Sequence, residues 1–349
     1  MKALTFQGKE DIQYASVTDP AILAPTDAIV RVTACAICGS DLHVYHEREK
    51  GIEHGTAMGH EFTGEIVEVG NSVGLLRPGD KVMSPFTTSC GTCYYCRIGL
   101  TCRCERGQLF GWIENGVGLH GGQAEYVRVP LAESTLIKIP DGISREEAIL
   151  LGDVLSTGFF CAKQAEVKPK GTYAVIGCGP VGLMAVVGAR ELGAEKIFAI
   201  DRVPERLKKA SEFGAVSIDG SNKNAIDIIH DATAGRGVDG VLEAVGNHSA
   251  VRMGFELVRP GGIVSSVGVC TDANLAFSPV EAYNKNLTYK IGRCPARFMM
   301  DQLIPLVLRK EYDLQSVFTH RMSLREGREG YSIFAGKRDH CLKVLLETT

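Results

Sequence analysis

Between Thr172 and Asp201 the chain reads as an apolar strand, a glycine-rich turn, an apolar helix and a second strand ending on a carboxylate. This order limits the possible folds more than any other stretch. Thr172 to Ile176 is a short apolar run of the kind buried on both faces of a parallel sheet. Gly177-Cys178-Gly179-Pro180-Val181-Gly182 follows, a helical stretch runs to about Leu192, and Lys196 to Ile200 is the next strand. Arg202 to Phe213 has the pattern of an amphipathic helix. Val216 to Ile218, Gly240 to Ala244 and Gly262 to Val267 read as later strands. Alternation of this kind predicts a doubly wound parallel sheet, an α/β Rossmann architecture, over residues 153–289.

The turn suits a dinucleotide. Gly177 makes the tight turn, Gly179 admits a pyrophosphate to the backbone, and Gly182 lets the helix pack closely on the strand. The helix start, with Pro180 and Val181, offers unpaired N–H groups and a positive dipole end to phosphate. Asp201 lies 19 residues beyond Gly182. A carboxylate there accepts the ribose hydroxyls of NAD and repels the extra phosphate of NADP. Arg202 beside it pulls the other way, because a guanidinium tolerates that phosphate. Val245 and Val267 end predicted strands at the edge where adenine and nicotinamide would lie. Cys178, inside the turn, reads as a small filler under the cofactor rather than a reactive thiol.

Residues 1–152 have a different texture. Ala28 to Thr33, Phe62 to Val69 and Tyr126 to Val129 are short β-branched segments punctuated by glycine and proline. They predict an irregular antiparallel sheet or barrel with long functional loops. After about Gly268 the alternation fades, and residues 290–349 are expected to return to this first domain. The 38 basic and 41 acidic residues include no basic block, which gives nucleic acid no electrostatic footing. No apolar run approaches the roughly 20 residues of a membrane helix, and the first residues carry no signal-like apolar segment. The chain reads as a soluble cytoplasmic protein acting on a small molecule.

Twelve cysteines would suggest disulfides in a small secreted chain, but 349 residues can bury a core without them. Five lie within fifteen residues. Cys90-x2-Cys93-x2-Cys96-x7-Cys104 is the spacing of a closed, structural zinc site, with Cys102 a rival for the fourth position. Cys38, His60 and Asp153 stand in segments rich in polar residues and glycine, and pattern alone does not unite them.

Gly59-His60-Glu61-x2-Gly64-x5-Gly70-x2-Val73, with the cysteine lobe, the glycine turn and Asp201 in order, resembles the zinc-containing alcohol dehydrogenases of the medium-chain dehydrogenase/reductase family. The resemblance covers essentially the whole chain. It implies a GroES-like catalytic domain beside the Rossmann domain, and two zinc ions per chain. Cys38, His60 and Asp153 would bind the catalytic zinc, with Asp153 where many relatives have cysteine. Cys90, Cys93, Cys96 and Cys104 would bind the structural one. Glu61 resembles a glutamate that joins or leaves the metal in some members. Ser40 matches the hydroxyl on the substrate oxygen, and His43 the histidine ending a proton relay.

The chemistry agrees with the resemblance. Three protein ligands leave zinc a position where an alcohol oxygen can bind and lose its proton more easily. Trp112 resembles a pocket residue of the secondary alcohol branch, and with Asp153 it points to secondary alcohols and NAD. A polyol or L-threonine dehydrogenase is the alternative. The family forms homo-oligomers, and a tetramer is expected ahead of a dimer.

Overall fold

Six parallel strands, in the order Val216–Asp219, Lys196–Asp201, Thr172–Ile176, Val238–Glu243, Val258–Ser266 and Thr288–Ile291, build the sheet of the nucleotide-type unit. Chain order reverses between Thr172–Ile176 and Val238–Glu243, the switch point at which doubly wound sheets take ligands. The computed structural model describes residues 1–221 and 224–348. They fall into two units, Met1–Asp153 with Pro295–Thr349, and Val154–Cys294. The short strand Thr288–Ile291 joins the parallel sheet, so this unit runs past residue 289 to Cys294, and Asp153 falls in the other unit.

Ala174, Ile176, Phe198, Ile200, Val241 and Val264 form the centre of this unit's core. The turn fits its sequence tightly. Gly177 has φ +84°, and a Cβ on Gly182 would stand 1.7 Å from the Gly177 carbonyl oxygen. The next helix spans Pro204–Glu212 and not Arg202–Phe213. Asp201 explains the late start. Its Oδ1 accepts the N–H groups of Arg202 and Val203, at 2.7 and 3.0 Å, and so holds the chain out of helix until Pro204, whose ring suits a first helical turn. The strand expected from Gly262 begins at Val258, because an irregularity in its pairing with Val238–Glu243 absorbs Pro260 and Gly261.

The other unit is built on a seven-stranded sheet, mostly antiparallel. Ala28–Ile37 pairs with Glu61–Val69, with Tyr126–Val129 and with Lys343–Glu347 near the chain's end. The tail thus adds Phe318–Ser323 and Lys343–Glu347 to the sheet begun by Ala28–Ile37. Val30, Ile37, Phe62, Val82, Val127, Tyr331 and Leu346 lie in its core. Ala28–Ile37 is longer than its β-branched part, running on through Ala34, Cys35 and Ala36. Among the described residues no helix is long and apolar enough to cross a membrane.

Candidate active site and metal centres

Two neighbouring strands bring the first candidate ligands together. Ala36 on one pairs with Glu61 on the other, so Cys38, just past the end of Ala28–Ile37, and His60, just before Glu61–Val69, share one end of the sheet. Asp153 arrives from elsewhere, at the C-terminal cap of helix Arg145–Gly152. One ligand atom from each of Cys38, His60 and Asp153 lies within 4.8 Å of the other two. Cys38 Sγ is 3.2 Å and His60 Nε2 3.4 Å from Asp153 Oδ2. A thiolate, an imidazole and a carboxylate on a small centre form a donor set that fits zinc with a fourth position open.

Electrostatics tie the three together. Burial, then the carboxylate of Asp153, pushes the Cys38 thiol up to about 12. Burial opposes the His60 imidazolium, but the Asp41 and Asp153 carboxylates outweigh it and hold His60 well above the usual histidine range. In the metal-free protein Cys38 therefore keeps its proton at neutral pH and His60 carries its second. A metal must displace both. Zinc uptake at this centre is expected to release protons and to tighten as pH rises from about 6 to 8. Zinc titrations with a pH indicator, run across that range, check this; affinity independent of pH would contradict it.

Asp41, in the helical turn Asp41–Tyr45, orients the histidine. Its Oδ1 is 3.3 Å from His60 Nδ1, which leaves Nε2 facing the other two ligands. Ser40 Oγ lies 3.2 Å from His60 Nε2, so the hydroxyl stands beside the cluster. His43 follows one helical turn after Ser40. Burial lowers its pKa, and among the described residues its buried Nδ1 has no hydrogen-bond partner. Its ring therefore favours the neutral form and keeps one buried nitrogen open. Glu61 is fully buried and forms an ion pair with the equally buried Lys343, Nζ lying 2.6 Å from Oε2. Burial pushes the Glu61 carboxyl up to about 7 even against this ammonium.

The second group is Cys90, Cys93, Cys96 and Cys104, whose sulfurs all lie within 4.8 Å of one another. Cys102, the rival for the fourth place, is buried in the short 3-10 turn Thr101–Arg103 and lies outside the group. The backbone N–H groups of Cys93 and Cys90 point at the sulfurs of Cys90 and Cys104, at 3.3 and 3.1 Å. Such donors stabilise thiolates. The donor set is closed and suits a structural ion.

In the nucleotide-type unit Asp201 Oδ2 accepts the Cys178 N–H at 2.7 Å, which fastens the glycine turn to the second strand. Arg206 Nη1 is 3.7 Å from the same oxygen. Cys178 is fully buried, and burial pushes its thiol up, the state of an inert filler. Val245 reaches the turn: a Cβ on Gly177 would meet Val245 Cγ2 at 2.4 Å. Val267 follows strand Val258–Ser266, its N–H bonded to Glu243 O at 3.0 Å. Trp112, in the two-stranded ribbon with Val117–Leu119, is partly buried against the large core.

Sequence reasoning missed Asp41, Lys343, Arg206 and Glu243. Asp41 stands in the same Cys-Gly-Ser-Asp run as two candidates, and that proximity was its only signal. Glu243 is buried, with Oε1 accepting the N–H groups of Val245 and Gly246, both at 2.7 Å. It shapes the loop that carries Val245.

Comparison with known proteins finds two matching families. The family described as "Alcohol dehydrogenase GroES-like domain" matches residues 24–141, and "Zinc-binding dehydrogenase" matches residues 180–309. The chain is 39% identical over 345 residues to zinc-type alcohol dehydrogenase B of Aspergillus flavus, covering 96% of this chain and 78% of that one. It is 35% identical over 303 residues to an NADP-dependent isopropanol dehydrogenase of Thermoanaerobacter brockii, covering 85% of each. The solved structure of alcohol dehydrogenase TADH from Thermus sp. ATN1 superposes with a TM-score of 0.94, at 40% identity and full coverage of both chains.

Proposed function

The chain belongs to the zinc-containing medium-chain dehydrogenase/reductase family, and from that premise we propose that it oxidises secondary alcohols to ketones with NAD, and runs the reverse reaction. The observation that carries this reading is the convergence of Cys38, His60 and Asp153 beside the Ser40 hydroxyl. The same chain also holds a glycine turn fastened to Asp201. The isopropanol dehydrogenase among the relatives supports a secondary alcohol.

When bound, zinc supplies a Lewis acid for the substrate oxygen, and the nicotinamide supplies or receives the hydride. Cys38, His60 and Asp153 would hold the catalytic ion, and Cys90, Cys93, Cys96 and Cys104 the structural one. Ser40 would accept the hydroxyl proton of the alcohol while giving up its own, and His43, whose partial burial favours the neutral ring, would take that proton onward. Asp41 keeps the His60 ring facing the centre. The Lys343 ammonium would hold the Glu61 carboxylate in its ion pair. Asp201 would accept the ribose hydroxyls, and the N-terminus of helix Pro180–Glu191 would receive the pyrophosphate. Val245, Val267 and Trp112 would line the cofactor and substrate spaces.

Purified protein supplied with NAD and a panel of primary and secondary alcohols, sorbitol and L-threonine tests the reading. Fastest NADH formation with a secondary alcohol is the expected result. Preference for sorbitol or threonine would transfer the chain to the polyol or threonine branch, and no absorbance with any of them would overturn the proposal.

Cofactor choice rests on Asp201. Replacing it with Gly removes the acceptor and the negative charge facing a 2'-phosphate. The ratio of kcat/KM for NAD over NADP is expected to fall about 10–100-fold, as for the loss of a charged hydrogen bond of about 1.5–3 kcal/mol. An unchanged ratio would reject the ribose role. We also place the enzyme in the cytoplasm, where thiols stay reduced for metal binding. It would act as a homo-oligomer, a tetramer ahead of a dimer. The edge strand Thr288–Ile291, with Ile291 half exposed, supports self-association, and light scattering on the purified protein measures it.

A further inference from the structure

Behind Asp41 a run of buried hydrogen bonds leads away from the metal centre to the helix Gly327–Gly336 near the chain's end. We infer that Gln123 and Tyr331 are positioning residues that fix His60 through Asp41. The inference rests on the metal centre proposed above.

Asp41 has two tasks. Its Oδ1 faces His60 Nδ1 at 3.3 Å, and its Oδ2 accepts the Cys38 N–H at 2.9 Å and Gln123 Nε2 at 3.2 Å. It therefore touches two of the three candidate ligands, one by its side chain and one by its backbone. The second Nε2 proton of Gln123 goes to Ala36 O at 3.2 Å, and Gln123 Oε1 accepts the Tyr331 hydroxyl at 2.9 Å. Both donors and the acceptor of the amide are thus in use. Gln123 and Tyr331 are fully buried and Asp41 nearly so.

Direction matters in this arrangement. A primary amide can be seated either way round. Turned over, Gln123 would set its oxygen against the Asp41 carboxylate and the Ala36 carbonyl, acceptor against acceptor and out of reach of water. Tyr331 can donate only to the oxygen of the correct seating. With phenylalanine at 331, Oε1 would be buried without a donor, and the amide would be free to tilt away from Asp41.

A second path couples the same side chain to His60. Gly59, the residue before it, has φ +90°, and a Cβ there would meet Gln123 Cγ at 2.3 Å. The Gln123 N–H bonds Met58 O, and the Gly122 N–H bonds Gly59 O, both at 2.8 Å. The Gln123 side chain thus rests on the backbone that delivers the histidine. Displacing it moves the ligand's own main chain as well as the carboxylate behind its ring.

The test uses the full-length chain carrying its metals, as wild type, Tyr331→Phe, Gln123→Met and the double variant. Three quantities are read: metal content, the rate at which the catalytic ion passes to a colorimetric chelator, and the visible spectrum after cobalt exchange. Melting temperature serves as the control for folding. Each single variant is expected to lose the catalytic ion about tenfold faster, the lower end of what outer hydrogen-bond partners contribute to metal affinity, and to shift the cobalt bands. The double variant should be no faster than Gln123→Met, because the tyrosine acts through the amide. Tyr331→Phe removes one oxygen and keeps the packing, so it remains a test if Gln123→Met misfolds. Wild-type release rate and cobalt spectrum in a two-metal Tyr331→Phe protein would overturn the inference, as would additive effects in the double variant. Wild-type protein binding a single metal would instead overturn the metal centre, and this inference with it.

Discussion

Cys38→Ser is expected to cut kcat for alcohol oxidation by about 10³-fold or more while the affinity for NADH stays near wild type. The magnitude follows from the task. Polarising the substrate oxygen is worth several kcal/mol, and each 1.36 kcal/mol is about tenfold in rate. Cys38 Sγ and His60 Nε2 both face Asp153 Oδ2, at 3.2 and 3.4 Å, so loss of the thiolate leaves two ligands where three converge. The Asp201 carboxylate and the glycine turn belong to the other unit and keep their own hydrogen bonds. His60→Ala should behave the same way. Steady-state rates measured with NADH titrations decide the matter, and a near-native kcat in either variant would remove these residues from the catalytic centre.

The second large effect concerns stability. The segment holding Cys90, Cys93, Cys96 and Cys104 has little regular structure of its own, one helical turn at Tyr94–Arg97 and one 3-10 turn at Thr101–Arg103. Tyr94 and Ile98 are exposed. Such a loop buries too little apolar surface to order itself, and a zinc ion on four thiolates contributes about 10–16 kcal/mol where it organises a small domain. Cys93→Ser is expected to reduce metal content from two ions to one, to lower the melting temperature by about 10 °C, and to open residues 90–104 to proteolysis. Most of that loss should appear as faster cleavage within the lobe. Two retained metals and an unchanged melting curve would contradict the assignment. The lobe leans on helix Ala296–Leu308, where a Cβ on Gly99 would touch the Phe298 ring at 3.0 Å, so unfolding should also loosen that helix.

What could be read in advance depended on distance along the chain. The turn at Gly177 to Gly182 and the four-cysteine group are local: their residues are close in sequence, and spacing carries the geometry. Cys38, His60 and Asp153 are too far apart for spacing to join them, and only the resemblance to a family did so. Beyond that, even resemblance was silent. Glu61 meets Lys343 across 282 residues, and Gln123 meets Tyr331 across 208. Nothing local in a lysine on an apolar strand tells that it lies fully buried against Glu61. The strand Thr288–Ile291 escaped for another reason. It is a short sheet-edge segment with a lysine in it, and lacks the apolar run that marks an inner parallel strand. Helix Pro204–Glu212 starts two residues later than its pattern predicts because the hydrogen bonds of Asp201 compete with the helix start.

The strand Lys343–Glu347 has a temporal consequence. It is inserted between Phe318–Ser323 and Ala28–Ile37, and it carries the only ammonium paired with Glu61 among the described residues. While the chain is being synthesised, Ala34 to Ile37 of strand Ala28–Ile37 must wait for their partners until residues 344–347 have been made, although Tyr126–Val129 covers the first half of the strand much sooner. Cys38 and His60 are made early, yet the neighbouring Glu61 meets its ammonium only 282 residues later. The nascent chain thus passes through a long interval in which residues 154–294 are made while Glu61 still lacks its ammonium.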